Sequence, residues 1–211
     1  KVPLAGLKTL LVAGEGVAPD VKNYWMRGRR MVNAYGFTEN SVLVMSGVYK
    51  EDTPTNDIGT LVPDSVAYVL DEDLNPVPDG VAGELCVGGS QLTEGYWKRP
   101  ELNAQKFIKN PFITDSDSKA GRNQRLYRSG DRVMRLSNGH FLYLGRLDNQ
   151  IKIRGMRIEL SEIEQCLNHY PGVSMSIVVA KERMERKVLV AYLQSHQEID
   201  KEKIATFVAG E

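Results

Sequence analysis

A strand–helix–strand pattern near its start most constrains how this chain can fold. The run Lys8-Thr-Leu-Leu-Val-Ala13 is typical of a short apolar strand, and Gly14-Glu-Gly-Val-Ala-Pro19 leads from it into a helix predicted over about residues 20–27. A second strand, MVNAYG, is predicted at residues 31–36. Strands joined by a helical crossover run parallel in one sheet. The pattern therefore predicts an α/β fold that contains a parallel sheet.

The middle of the chain has a different sequence pattern, with short apolar runs separated by turns. The runs VAYVLD and GELCVGG are separated by a Pro- and Gly-containing turn and predict antiparallel or barrel-like strands. Residues 133–143 predict a hairpin, in which Asn138-Gly139 suits a type I′ turn. Residues 114–124 carry almost no apolar side chains and predict a mobile loop.

A second, smaller domain is predicted after Arg146. Residues 150–160 predict a strand pair, and Ser161-Glu-Ile-Glu164 has the spacing of a helix capping box. Two β-rich runs, 176–180 and 187–193, flank a charged turn, and a helix is predicted from about Lys201. The apolar face of the first helix is predicted to comprise Leu160, Ile163, Leu167 and Tyr170.

Composition excludes several classes of function. The 211 residues contain 27 Lys plus Arg and 27 Asp plus Glu, so the net charge is zero and no general nucleic-acid or membrane surface is indicated. Cys86 and Cys166 lie in apolar patterns and predict buried free thiols. The three scattered histidines support neither a zinc site nor a His-based triad. Without a long apolar run or a signal peptide, a cytoplasmic protein is the default expectation.

The run Asn33-Ala-Tyr-Gly-Phe-Thr-Glu39 places an aromatic ring, a hydroxyl and a carboxylate at the end of a predicted strand. Stacking of a base on an aromatic face contributes about 1–3 kcal/mol. Mg²⁺ prefers one or two carboxylates together with phosphate oxygens and water. The run therefore favours nucleotide triphosphate chemistry, and the alternative is a strand end followed by a polar loop.

Further runs occur downstream in a fixed order, namely Gly83–Gly89, Leu92–Pro100, Tyr127–Asp131 and Gly145–Glu164. With the run at Asn33–Glu39, they resemble the adenylate-forming enzymes, most closely the adenylation domains of nonribosomal peptide synthetases. The resemblance covers nearly the whole chain. It implies an adenylate-forming α/β fold: residues 1–146 would be the C-terminal part of the large subdomain, with a parallel βαβ unit and barrel-like antiparallel strands. Residues 147–211 would belong to a small α+β subdomain, truncated here.

The resemblance also implies roles for residues of the first run. Tyr35 would stack on adenine, Thr38 would meet the phosphate, and Glu39 would hold Mg²⁺. Asn33 and Gly36 belong to the same ATP/AMP site. The alternative for Tyr35 is a core aromatic at a strand end.

Downstream residues complete the implied site. Asp131 would accept both ribose hydroxyls, and Arg146 would reach the ribose or phosphate. Tyr143 would lie beside the adenine or ribose, although a half-buried strand tyrosine is a strong alternative. Asp148 would be the hinge about which the small subdomain turns between two half-reactions. Gly155 would let the phosphopantetheine arm approach, unless it only forms a hairpin turn.

The acyl pocket is implied by motif position and is partly represented in this sequence. Its wall would be apolar and roomy, and would be formed by Leu11, Ala13, Ala34, Val42 and Leu43. Phe37 departs from the family, in which proline usually follows the glycine, and this departure puts the rigidity of the loop in question.

The resemblance implies an ATP-dependent ligase that converts an amino acid and Mg·ATP to aminoacyl-AMP and pyrophosphate. Transfer to the phosphopantetheine thiol of a peptidyl carrier domain would follow, and a condensation domain is expected nearby. No nucleic-acid or membrane partner is implied. The family's phosphate-binding loop and catalytic lysine lie outside these 211 residues, so we expect this chain to be part of a larger domain and to be inactive alone.

Three other interpretations stay open. Gly14–Pro19 could open a dinucleotide-binding domain, but Pro19 occupies the third glycine position and no second βαβ unit follows. An acyl-CoA or aryl-CoA ligase of the same superfamily would share most motifs, although the run up to Glu164 resembles the peptide-synthetase form better. A degenerate, non-catalytic module is disfavoured because Glu39, Asp131 and Asp148 are all present.

Overall fold

The computed structural model describes residues 4, 6–148, 150–153, 155–183 and 186–210. They form two compact units, Lys1–Leu147 and Asp148–Glu211, termed unit 1 and unit 2. The elements of unit 1 are, in chain order, β1 (Thr9–Ala13), α1 (Pro19–Trp25), β2 (Arg30–Tyr35), β3 (Met45–Val48), β4 (Asp57–Leu61), β5 (Ser65–Leu70), β6 (Ala82–Gly89), α2 (Pro100–Lys106), β7 (Phe107–Lys109), α3 (Asp115–Lys119), β8 (Arg125–Arg135) and β9 (Phe141–Arg146). The elements of unit 2 are β10 (Gln150–Ile153), β11 (Met156–Glu159), α4 (Leu160–Asn168), β12 (Val173–Arg183), β13 (Arg186–Ser195) and α5 (Lys201–Ala209).

Unit 1 is built on one sheet with the strand order β1-β2-β3-β4-β9-β8-β6-β5, and β7 also pairs with β8. β1 and β2 are parallel and are joined by α1, which confirms the predicted βαβ unit. The other pairs are antiparallel, as the short strands of the middle region predicted. The main apolar core of this unit consists of Val44, Met45, Ile58, Val69, Leu85, Val87, Phe107, Tyr127, Val133 and Phe141.

Unit 2 contains two antiparallel strand pairs, β10 with β11 and β12 with β13. Helix α4 buries Leu160 and Leu167 against Val178 of β12 and Ile204 of α5. Ile163 and Tyr170 pack against the same cluster, which confirms the predicted apolar face of the helix. None of the described helices is long and apolar enough to cross a membrane.

Two local predictions in unit 1 are wrong. Residues 115–119 form the short helix α3, because Thr114 Oγ1 accepts a hydrogen bond from the Asp117 backbone N–H at 3.1 Å and caps it. The β8–β9 hairpin forms as predicted, but its turn is not type I′. A type I′ turn needs positive φ at both central residues, and only Gly139 has it (83°).

The predicted capping box in unit 2 is also wrong. Helix α4 begins at Leu160, and its N-cap position is occupied by Glu159, two residues before Ser161, without a side-chain hydrogen bond. The Glu164 carboxylate instead accepts a hydrogen bond from the Val178 backbone N–H at 2.8 Å. The Glu164 carboxylate, which the local spacing predicted to cap the helix, is thus used in a contact with a residue of β12. Asn149 and Arg154, and residues 184–185 of the predicted charged turn, lie outside the described residues.

Candidate functional site

The end of β2 delivers the first group of predicted site residues. Asn33 is buried, and its Nδ2 donates to the Asp57 backbone oxygen at 2.8 Å, which fastens β2 to β4. Tyr35, two residues further along the strand, is half-buried and points its hydroxyl at Asp131 Oδ2. Asn33 therefore fixes the position of β2, and the Tyr35 side chain contacts Asp131, which belongs to another motif.

Gly36 is required by a close approach of the backbone. A Cβ at this position would lie 1.9 Å from the carbonyl oxygen of Val42, so no other residue fits. The loop returns to Gly36 because the Val42 backbone N–H donates to the Phe37 oxygen at 3.0 Å. Val42 itself has φ 81°, which is strained for a β-branched residue. Such strain is concentrated at functional sites, and Val42 is one of the predicted pocket residues.

Thr38 and Glu39 begin a single 3₁₀ turn, Thr38–Asn40. Thr38 is exposed, whereas Glu39 is only 4% exposed. Glu39 Oε1 accepts hydrogen bonds from the Tyr96 hydroxyl at 2.5 Å and from the Tyr127 hydroxyl at 3.0 Å. Burial, followed by the hydrogen bond to Glu39, raises the pKa of the Tyr96 hydroxyl, so this group remains a donor.

Asp131 lies where β8 is irregular. The pairing of β6 with β8 shifts between Glu84 and Cys86, and Gly130 has φ 72°. Bulges of this kind redirect side chains and are frequent next to active sites. The result is a carboxylate, 5% exposed, that projects from the irregular part of the strand.

Residues of three separate motifs meet at Asp131. Arg146 Nη1 donates to Asp131 Oδ1 at 2.8 Å, and the Tyr35 hydroxyl donates to Oδ2. Burial, followed by the charge of Asp131, raises the pKa of the Tyr35 hydroxyl well above its usual value. The ring of Tyr143, on β9, has its centroid 6.3 Å from that of Tyr35 at a 46° tilt. The structure therefore brings together four residues that were predicted to bind one nucleotide.

The predicted pocket residues are only partly assembled. The parallel register pairs Ala13 with Ala34 and Leu11 with Val32, so Leu11, Ala13 and Ala34 lie on one face of β1 and β2. Ala34 is buried, whereas Leu11 and Ala13 are exposed. Val42 is 72% exposed and Leu43 is half-buried. A separate cavity of about 500 Å³, lined by polar residues such as Ser90 and Arg122, includes none of the predicted site residues.

Asp148 and Gly155 belong to unit 2. Asp148 is exposed, and its Oδ1 accepts a hydrogen bond from the Gln150 backbone N–H at 3.1 Å. Gly155 is exposed, has φ 77° and lies between β10 and β11. That backbone conformation suits both a hairpin turn and a close ligand approach, so the roles of these two residues stay predictions.

Sequence reasoning missed three residues that support the site. Tyr96 and Tyr127 bind Glu39, and Glu84 Oε1 accepts from the Gly130 backbone N–H at 3.1 Å, next to Asp131. All three lie inside runs that carry the family resemblance, but a run does not say which side chain meets which. The one available signal was the period-2 alternation of a strand, which predicts that Tyr127 and Ser129 lie on the same face of β8. It does not say which residue the Tyr127 side chain meets.

The described residues contain no cluster of three or more His, Cys, Asp or Glu side chains arranged for a metal ion. A cation at Glu39 would therefore not be held by three such side chains of the described residues. Mg²⁺ in nucleotide-binding enzymes is commonly held by one or two carboxylates and phosphate oxygens.

Comparison with known proteins identifies relatives of this chain. The AMP-binding enzyme family matches residues 1–97. Malpinin synthetase of Mortierella alpina is 45% identical over 90% of this chain, and gramicidin S synthase 1 of Brevibacillus brevis is 37% identical over 99% of it. The chain spans 2% and 18% of the lengths of these two relatives.

A solved structure shares the fold and about a quarter of the aligned residues. PA1221, described as a nonribosomal peptide synthetase protein containing adenylation and PCP domains, superimposes with a TM-score of 0.79 and 25% identity over 95% of this chain and 41% of its own. The predicted adenylate-forming α/β fold is thereby confirmed. This chain belongs to the AMP-binding enzyme family, among the adenylation domains of nonribosomal peptide synthetases.

Proposed function

We propose that this chain contributes the nucleotide site and part of the acyl pocket of an enzyme that activates an amino acid with Mg·ATP. The observation that supports this most strongly is the meeting of Tyr35, Asp131 and Arg146, which come from three separate motifs. Within the enzyme, unit 1 would be the C-terminal part of the large subdomain and unit 2 the small subdomain, with Asp148 as the hinge.

The residues present fit a nucleoside. A carboxylate accepts two hydroxyl donors, and each oxygen of Asp131 already accepts a hydrogen bond from a protein donor. A ribose hydroxyl would replace the Tyr35 hydroxyl as a donor to Asp131, or would donate to the same carboxylate oxygen. Tyr35 and Tyr143 form a tilted pair of half-buried rings, which would present an aromatic surface to a base.

The residues at Glu39 fit a hard divalent cation. Glu39 supplies a buried carboxylate, and the exposed Thr38 hydroxyl lies next to it in sequence. Bound Mg²⁺ would neutralise charge on the phosphates during their displacement. Glu39 and Thr38 are the residues of this chain that would hold the cation and the phosphate.

The proposed reaction is a displacement at phosphorus. A carboxylate oxygen of the amino acid attacks the α-phosphorus of ATP, the bond from that phosphorus to the bridging oxygen breaks, and pyrophosphate leaves with the electron pair. The aminoacyl group would then pass to a phosphopantetheine thiol, with AMP as the leaving group. A carrier domain as acceptor is supported by PA1221, which is described as containing adenylation and PCP domains. An adjacent condensation domain and a cytoplasmic location belong to the same proposal.

ATP–pyrophosphate exchange by the full-length protein, with a panel of amino acids, fatty acids and aryl acids, tests the reaction. Exchange with an amino acid supports the proposal. Exchange confined to fatty or aryl acids, with formation of a CoA thioester, would replace it by a CoA ligase. No exchange, together with no binding of ATP, would favour a non-catalytic module.

The Asp131→Ala variant tests the nucleotide site. Charge-assisted hydrogen bonds contribute about 1.5–3 kcal/mol, so ATP affinity should fall about tenfold to a hundredfold. Asp73→Ala is a matched control, because this exposed carboxylate lies in the turn between β5 and β6. Unchanged ATP affinity in a folded Asp131→Ala protein would remove this residue from the site.

A further inference from the structure

Two tyrosine hydroxyls converge on a single oxygen of Glu39. The hydroxyls of Tyr96 and Tyr127 lie 2.5 Å and 3.0 Å from Glu39 Oε1, and 3.4 Å from each other. A carboxylate oxygen has two lone pairs, so it accepts both bonds at once. Tyr127 is 1% exposed and Glu39 is 4% exposed, so water does not compete strongly for these positions. Together the two bonds fix the rotamer and the plane of the carboxylate.

The two tyrosine rings are themselves held by aromatic packing. Phe107 has its centroid 5.6 Å from that of Tyr96 and 5.1 Å from that of Tyr127. Phe37 also packs against Tyr127, and the centroids of these two rings are 5.0 Å apart. Rings fixed in this way hold their hydroxyls at fixed points, which is how supporting residues keep a functional group in place.

The backbone ties Tyr96 to Glu39 a second time. The Thr93 backbone N–H donates to the Glu39 backbone oxygen at 2.9 Å. Asn103 of α2 accepts from the Tyr96 backbone N–H at 2.7 Å and donates to the Tyr96 backbone oxygen at 2.9 Å. The segment from Thr93 to Tyr96 is therefore anchored at both ends, and its tyrosine cannot move away from the carboxylate without breaking several bonds.

We propose that Tyr96 and Tyr127 are positioning residues for the divalent cation, acting through Glu39. This inference rests on the proposed function, which makes Glu39 the cation ligand. Hydrogen-bonding partners of metal ligands orient the ligand, and their loss typically lowers metal affinity about 10- to 100-fold. The hydroxyls would act by keeping Glu39 in one orientation before the cation and nucleotide arrive, so that no reorganisation is needed on binding.

The test uses the full-length protein and the variants Tyr96→Phe and Tyr127→Phe, which remove a hydroxyl and keep the ring. Mn²⁺, bound with a non-hydrolysable ATP analogue, is titrated by electron paramagnetic resonance, which reports the metal directly. We expect each variant to weaken Mn²⁺ binding about tenfold. The Mg²⁺ concentration for half-maximal pyrophosphate exchange should rise in parallel, while the KM for the amino acid stays constant. Tyr68→Phe is the matched control, because its hydroxyl lies 3.5 Å from the Phe112 oxygen and not at Glu39.

A Glu39→Gln variant distinguishes the proposed cation site at Glu39 from the proposed positioning role of the two tyrosines. If Glu39→Gln loses Mn²⁺ affinity and the two tyrosine variants bind Mn²⁺ like the wild type, the positioning role is wrong and the cation site stands. If Glu39→Gln also binds Mn²⁺ like the wild type, the proposed cation site fails, and the positioning role fails with it. A lower melting temperature of the tyrosine variants with unchanged Mn²⁺ affinity would show that the hydroxyls only stabilise the fold.

Discussion

Glu84 holds the turn that precedes Asp131 through a hydrogen bond from the Gly130 backbone N–H to Glu84 Oε1, at 3.1 Å. The other oxygen of Glu84 accepts two bonds from Arg128, at 2.6 Å and 3.0 Å. Ser129 Oγ adds a bond to the Leu85 backbone oxygen at 2.7 Å. The irregular part of β8 is thus bonded to Glu84 and Leu85 of β6. These bonds fix the direction in which the Asp131 side chain points.

The Glu84→Ala variant should lose both stability and nucleotide affinity. It leaves the buried Gly130 N–H without its acceptor, which costs about 1–3 kcal/mol of unfolding free energy. Chemical denaturation should show this loss, and ATP binding by the full-length protein should weaken at least severalfold because the turn is no longer fixed. Glu72→Ala, at an exposed position, is the control and should change neither quantity. Normal ATP affinity of Glu84→Ala would mean that the turn holds its shape without this carboxylate.

The two cysteines should differ sharply in reactivity. Burial, with a smaller contribution from the neighbouring Glu84, raises the pKa of the Cys86 thiol to about 12. The thiolate is the reactive form, so native Cys86 should resist iodoacetamide at pH 8.5, whereas the half-buried Cys166 should be labelled at least about tenfold faster. Mass spectrometry of the two peptides measures this, with a denatured sample as the control. Because the folded pKa is raised, the stability contributed by the neutral thiol is lost only as pH rises from about 9 towards about 12. Equal labelling in the native protein would contradict this burial.

The sequence predicted the elements well where periodicity and burial agree. The βαβ unit formed, and so did the apolar face of α4, because each is specified by a repeating apolar pattern. Side-chain partners were predicted less well. Glu164 has the spacing of a capping residue but bonds to Val178, 14 residues away, and no local pattern encodes such a contact.

The same division applies to the site. The motif runs identified Tyr35 and Asp131 as candidates, but not the bond between them, which spans 96 residues of sequence. The support given to Glu39 by Tyr96 and Tyr127 likewise depends on how β8 and the loop before α2 are placed in the folded unit. Chain-distant pairs of this kind are set by topology and are not visible in any single run of residues.

The Phe37→Pro variant, which introduces the residue implied at this position by the family resemblance, should destabilise the protein. Phe37 has φ −148°, whereas a proline ring fixes φ near about −65°. The substitution also removes the ring that packs against Tyr35 and Tyr127. Phe37→Ala separates the two effects, because it removes the ring and leaves φ unrestricted.

We expect Phe37→Pro to lose about 1–3 kcal/mol more unfolding free energy than Phe37→Ala, measured by chemical denaturation of the full-length protein. An equal loss in the two variants would show that the loop adopts the proline-compatible conformation without strain. In that case the lost packing of the Phe37 ring would account for the whole effect of either substitution.

The Asp148→Pro variant tests the predicted hinge at the boundary between unit 1 and unit 2. Proline fixes φ and also restricts the residue before it, so the linker would lose the freedom to change its backbone angles. If the two half-reactions need two orientations of the small subdomain, such a variant should retain one and lose the other. We expect pyrophosphate exchange to survive at least in part, because Arg146 precedes the hinge and keeps its hydrogen bond to Asp131, while loading of the carrier domain falls sharply. Asp148→Ala, which removes the carboxylate bond to the Gln150 N–H but leaves the backbone free, is the control and should support both half-reactions. A decrease by the same factor in both half-reactions of Asp148→Pro would identify Asp148 as an ordinary structural carboxylate, and the two-orientation interpretation of this linker would lose its support.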